Sequence, residues 1–275
     1  LGQIVAYPTT AWIVENLSSQ MVFYIKAGIG MVWVAGWYYY VRDSPREHPR
    51  ASEAEVTFIE SQVTPKREGS NVLLLSIIRC KPIPTLCVSY MLYGFIAWLF
   101  IFWFPTYLTQ ERGLSTMQMG MIGMLPIGAG FLGVQFGGWF SDWMLKNGWS
   151  PRAARVRVSG LMVVLGAPFL VLGVNLPSIG AAITAFGIFY FLFSASLGGF
   201  WSLPLELSPE HVGSIIGVMN SCANFAGLFG PLAAGRLIDA TQSFTLPFYL
   251  AALLCLFCGG IYALLVPADP IEIEI

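Results

Sequence analysis

The chain has 275 residues, 56% of them hydrophobic and 11% charged, with a mean hydropathy of +0.69. A soluble domain carries about 25% charged residues, so this composition excludes an ordinary soluble enzyme and specifies an all-α polytopic membrane protein. The formal net charge of −1 argues against a nucleic-acid partner.

Residues 1–14 form an apolar piece too short to cross a bilayer. It reads as the end of a helix, and the chain opens on Leu rather than Met, so the sequence is expected to be the trailing part of a longer one. A polar turn at 15–20 leads into the first full span, 21–41, whose last turns, Trp37 to Tyr40, suit an interfacial aromatic belt. Lys26 lies about one turn inside that span. A lysine at the bilayer centre costs about 2.5–3.5 kcal/mol, so Lys26 either snorkels outward or serves a substrate or coupling ion.

Residues 42–82 are the one long polar segment, and they divide the chain into regions 1–41, 42–82 and 83–275. Ser52 followed by Glu55 resembles a capping box and predicts a short surface helix over 52–62. Further spans are expected at 83–104, 117–140, 156–175, 177–203, 213–235 and 246–266. Gly120, Gly123, Gly133 and Gly137 in the second of these suit close helix packing. Arg42, Arg46, Arg50, Lys66, Arg67, Arg79 and Lys81 lie in the long segment; Lys146, Arg152, Arg155 and Arg157 follow Phe140. The excess of basic residues places both segments, and with them the C-terminal tail, on the cytoplasmic side.

Cys255 and Cys258 form a C-x-x-C spacing inside an apolar run, with no second pair and no nearby His. They read as small packing residues, and no cofactor or metal is expected. His48 and His211 fall in loops, and neither H-E-x-x-H nor G-x-S-x-G occurs, so a membrane-embedded enzyme is disfavoured.

The most informative stretch is 201–235. Gly217, Asn220, Asn224, Gly227 and Pro231 recur at steps of three and four, so they share one helix face. Hydrocarbon offers an amide no partner. This face therefore either bonds a neighbouring helix or lines a wet pathway.

Three motifs carry a resemblance. Gly137-Gly138-Trp139-Phe140-Ser141-Asp142, followed by Gly148, Arg152 and Arg155, resembles the loop signature of the major facilitator superfamily in its second-half position. Trp103-Phe104-Pro105-Thr106-Tyr107-Leu108 with Glu111-Arg112-Gly113-Leu114-Ser115, and Trp201-Ser202 through Ser208-Pro209-Glu210 to Gly235, resemble helices 7, 10 and 11 of its anion:cation symporter family. That family includes bacterial carriers of hexuronates, galactonate and related organic acids.

The resemblance implies the second half of the fold, from the end of helix 5 through helix 12, in a bacterial inner membrane. It also implies proton-coupled symport of a small organic anion, by two bundles rocking around a midplane site. Gly138, Asp142, Arg152 and Arg155 would form a conformational latch. Asn220 and Asn224 would bond substrate oxygens, Tyr93 and Trp201 would give flat faces to its carbon skeleton, and Ser194 would add a donor. Trp201 serves equally well as a belt residue. No Arg, Asp or Glu sits mid-span, and the resemblance implies that the anion-binding arginine and the coupling acid lie in a first half expected to precede Leu1. Two alternatives keep the fold: another cargo, such as an aromatic acid or a drug-like solute, or a non-transporting half-protein that pairs with a second chain.

Overall fold

The computed structural model describes residues 2–62 and 74–268. Lys66, Arg67 and the acidic tail lie outside the described residues. Two compact units emerge, one of residues 1–11 with 72–275 and one of residues 12–71.

Among the described residues the chain is helical throughout, without strands. In chain order the helices are α1 (Gly2–Asn16), α2 (Ser19–Tyr40), α3 (Glu53–Gln62), α4 (Leu74–Arg79), α5 (Pro82–Thr106), α6 (Thr116–Lys146), α7 (Val158–Asn175), α8 (Ile179–Ala195), α9 (Leu197–Leu207), α10 (Val212–Thr241) and α11 (Thr245–Leu265). Wider five-residue turns extend α5 through Tyr107–Glu111 and precede α7 at Arg152–Arg157. Seven helical stretches are long and apolar enough to cross a membrane.

Their bounds correct the sequence reading in two places. The helix expected to end at Phe140 continues to Lys146, so Asp142 rides on its last turns. The single span expected at 177–203 begins at Ile179, breaks at Ser196 and runs on to Leu207 as two helices.

Local chemistry explains the ends. Ser18 caps α2 by accepting from the Met21 N–H. Ser115 and Gln118 cap α6 reciprocally, the Gln118 N–H donating to Ser115 Oγ at 3.2 Å and the Ser115 N–H to Gln118 Oε1 at 3.0 Å. Between α5 and α6 the chain reverses at Gly113, whose φ of +67° suits a residue without a Cβ. Beside it, Arg112 donates from Nε to the Tyr107 hydroxyl at 2.6 Å and from Nη2 to the Leu176 and Val174 carbonyls at 2.7 and 3.2 Å. A cation on these orphan carbonyls satisfies the C-terminus of α7 and complements its dipole.

In the larger unit α5 lies against α10 and α11, α6 against α8, and α7 against α8 and α11. Lipid tails are as apolar as the core, so close packing rather than water exclusion holds such a bundle. Two devices supply it. Phe100 stacks on Phe104 and Tyr190 at 4.5 and 5.0 Å, with Phe186 and Phe248 closing the cluster. Elsewhere glycines bring backbones together: a Cβ placed on Gly160 of α7 would lie 2.6 Å from the Gly259 carbonyl oxygen of α11.

Candidate functional site

α10 is amphipathic in an unusual sense. Ile215, Met219, Ala223, Ala226, Gly230 and Ala234 are buried and seat it on the bundle. The Gly217-to-Pro231 stripe lies beside that face and divides in two. Gly227 receives the Trp98 ring, and the Trp103 indole N–H donates to the Pro231 carbonyl at 3.1 Å, so its upper part is covered by α5. Its lower part is open: Asn220 and Asn224 are exposed, and Gly217 has nothing within 4 Å of an added Cβ.

Asn224 lies about 18 Å along the helix from Val212, near its middle. Its amide nitrogen turns back onto the Asn220 carbonyl at 2.9 Å. Among the described residues the Asn220 side chain makes no hydrogen bond. An unpaired amide in hydrocarbon costs about 4–8 kcal/mol, far more than one helix–helix contact returns, so this patch faces water, ligand or protein rather than lipid.

Tyr93 is buried. Its ring stacks on Phe193 at 3.9 Å, and its hydroxyl donates to the Phe193 carbonyl at 3.1 Å. That carbonyl also accepts from Ser196 Oγ at 2.6 Å. Both hydroxyls thus serve the break between α8 and α9, whose freed backbone groups need partners at membrane depth. Ser194 is buried with its Oγ 2.8 Å from where a Cβ on Gly130 would stand, in the seam between α6 and α8. Tyr90, one turn before Tyr93, stacks on it at 5.5 Å and accepts the Trp201 indole N–H at 3.0 Å. Tyr93, Tyr90 and Trp201 thereby form one aromatic run from the core to a half-exposed indole.

Trp201 opens onto a cleft of about 620 Å³, lined also by Gly138, Asp142, Arg155, Gly198 and Ser202. Arg155 is its charged centre, with a side chain 13% exposed. It pairs with Asp142 Oδ1 at 2.8 Å and Glu206 Oε1 at 2.9 Å, and donates to Ser141 Oγ at 3.0 Å. One guanidinium fork therefore ties α6, the turn before α7, and α9. Among the described residues, Glu206 Oε2 and the Tyr262 hydroxyl are buried without a hydrogen-bond partner. Arg152 stands apart, exposed, its Nη2 3.4 Å from the Leu264 carbonyl. Gly138 has open space where a Cβ would be; the close approach belongs to Gly137, against the Ala195 backbone.

The structure thus gathers Gly138, Asp142, Arg155 and Trp201 around one cleft and sets Asn220 and Asn224 on an open face of α10. Tyr93 and Ser194 lie in packed seams. Sequence reasoning gave no role to Glu206 or Tyr90, and held Ser141 only as part of its motif. Tyr90 carried a signal, the three-residue spacing to Tyr93 that puts both rings on one helix face.

The sequence profile of the Major Facilitator Superfamily matches residues 1–231. A hexuronate transporter of Bacillus subtilis strain 168 is 27% identical over 264 residues, covering 94% of this chain and 60% of its own. A probable galactarate/D-glucarate transporter of Escherichia coli K12 is 30% identical over 273 residues, with coverage of 94% and 59%. The chain thus spans about three-fifths of the length of these relatives. Among solved structures, an inward-facing, unoccupied bacterial homolog of the human lysosomal transporter Spinster superposes with a TM-score of 0.62 at 14% identity, over 95% of this chain and 64% of the other. The chain belongs to the Major Facilitator Superfamily.

Proposed function

We propose that this chain works in a secondary transporter that carries a small organic anion, of the sugar-acid class, together with protons. The observation that carries the reading is the open amide patch of α10. Asn220 and Asn224 offer donors and acceptors at membrane depth on a face that hydrocarbon would penalise. Hydroxylated acids match that chemistry, and hexuronate and galactarate or glucarate are the cargoes named for the relatives. Alternating access supplies the mechanism, the bundle moving as a unit about a midplane site. Arg155, with Asp142 and Glu206, holds the α6, α7 and α9 ends together in one of the two states. Trp201 lines that cleft, with Tyr90 and Tyr93 stacked behind its indole. The long polar segment and the C-terminus face the cytoplasm on the basic-residue rule.

The test is uptake of labelled glucuronate and galactarate by energised membrane vesicles from cells making the protein as its own gene encodes it. Saturable uptake that a protonophore abolishes is expected. Vesicles no better than those from cells lacking the gene would overturn transport of this class; uptake indifferent to the protonophore would remove the proton coupling alone.

A further inference from the structure

The smaller unit carries a feature that this reading does not use. α2 ends in Trp37, Tyr38, Tyr39 and Tyr40, all more than half exposed, as expected where a span meets the headgroup layer. Directly beyond it the chain folds back and encloses a cleft of about 380 Å³ lined by Tyr40, Arg42, Ser44, His48, Arg50 and Glu55.

The arginines of this segment divide by partner. Arg46 forms a two-pronged pair with Glu60, at 2.6 and 2.7 Å. The hydrogen bonds from Arg46 hold the Glu60 carboxyl below its ordinary value, so the pair stays closed at neutral pH and Arg46 is spoken for. Arg42 and Arg50 have no carboxylate partner among the described residues. Arg42 gives one nitrogen to the Val41 carbonyl at 2.8 Å and keeps the rest of its fork free. Arg50 lies 5.9 Å above the Tyr40 ring. The His48 Nδ1 accepts the Arg50 backbone N–H at 3.3 Å, which leaves Nε2 as the protonated, outward donor. Its ring meets Tyr40 edge-on at 5.0 Å, so Tyr40 packs against both Arg50 and the neutral His48 ring.

We infer that this cleft binds the phosphodiester of an anionic phospholipid headgroup. Two guanidinium forks and an imidazole N–H match phosphate oxygens, and the aromatic belt sets the cleft at headgroup depth. Glu55 selects between sources of phosphate. With one carboxylate against two arginines the lining carries about one net positive charge, suited to a singly charged diester. The same carboxylate opposes an inorganic phosphate dianion about twice as strongly as a singly charged diester.

The experiment is native mass spectrometry of the purified full chain, equilibrated with equal amounts of phosphatidylglycerol and phosphatidylcholine, with and without inorganic phosphate. The protein should retain phosphatidylglycerol in preference by about tenfold or more, as two arginines at a charged surface imply. Arg42→Gln with Arg50→Gln should abolish the preference, while Lys146→Gln, which removes one charge elsewhere, should keep it. Glu55→Gln should strengthen competition by inorganic phosphate, an effect that a merely destabilised loop does not produce. Preference unchanged in the double variant, or lost equally in Lys146→Gln, would overturn the site. Displacement of the lipid from the native chain by inorganic phosphate would overturn the lipid as its occupant.

Discussion

Arg155 shows how much one side chain organises here. Its fork meets Asp142 and Ser141 of α6 and Glu206 of α9, two separate stretches of chain, in a nearly enclosed place. A hydrogen bond to a charged group is worth about 1.5–3 kcal/mol, and removing the cation also leaves two carboxylates facing each other. Arg155→Met is therefore expected to lower the unfolding temperature of the solubilised protein by several degrees. Arg152→Gln, exposed and 3.4 Å from a single carbonyl, should leave it unchanged. Equal effects of the two would remove Arg155 from its central place. Asp142 and Arg155 were legible in the sequence because a compact motif holds them. Glu206 was not: it lies 51 residues beyond Arg155, and an acid at a helix end gives no spacing signal. Only the tertiary fold brings it to the guanidinium.

At the scale of the element, hydropathy read 177–203 as one span because apolar residues run through it without pause. The break at Ser196 is invisible to that signal. There the Tyr93 hydroxyl, 100 residues from Phe193 in sequence, donates to the Phe193 carbonyl alongside the Ser196 hydroxyl. Glycine spacing was more readable: Gly133 and Gly137 do meet the Phe191 and Ala195 backbones, and Gly120 and Gly123 receive Ala11 and Tyr7 of α1. One close seam was not read at all. A Cβ on Gly160 would stand 2.6 Å from the Gly259 oxygen and 2.7 Å from the Ala263 Cβ, both on α11. Gly160→Val should force α7 and α11 apart and send the solubilised protein into aggregates on size exclusion. Gly260→Ala, with nothing within 4 Å, should elute as the native protein does. A monodisperse Gly160→Val protein would show that the seam tolerates separation.

For the whole molecule, composition and the apolar runs sufficed for an all-helical membrane protein with seven spans, and among the described residues seven helical stretches are long and apolar enough to cross a membrane. The amide stripe of α10 was legible as a face but not in its division, because the Trp98 and Trp103 rings that cover its upper part come from α5. What remains open is the patch of Asn220 and Asn224, and the account rests on its meeting the transported anion. The direct test is the rate of labelled glucuronate or galactarate uptake by wild type, Asn220→Ala, Asn224→Ala and the Gly260→Ala control, at matched amounts in the membrane. Loss of one hydrogen bond to a substrate costs about 0.5–1.5 kcal/mol when neutral and 1.5–3 kcal/mol when the partner is charged. Each asparagine variant should therefore lose about threefold to a hundredfold in uptake efficiency, with the control unaffected. Asparagine variants that transport at the wild-type rate, with unchanged apparent affinity, would contradict the account and return α10 to the role of a packing helix.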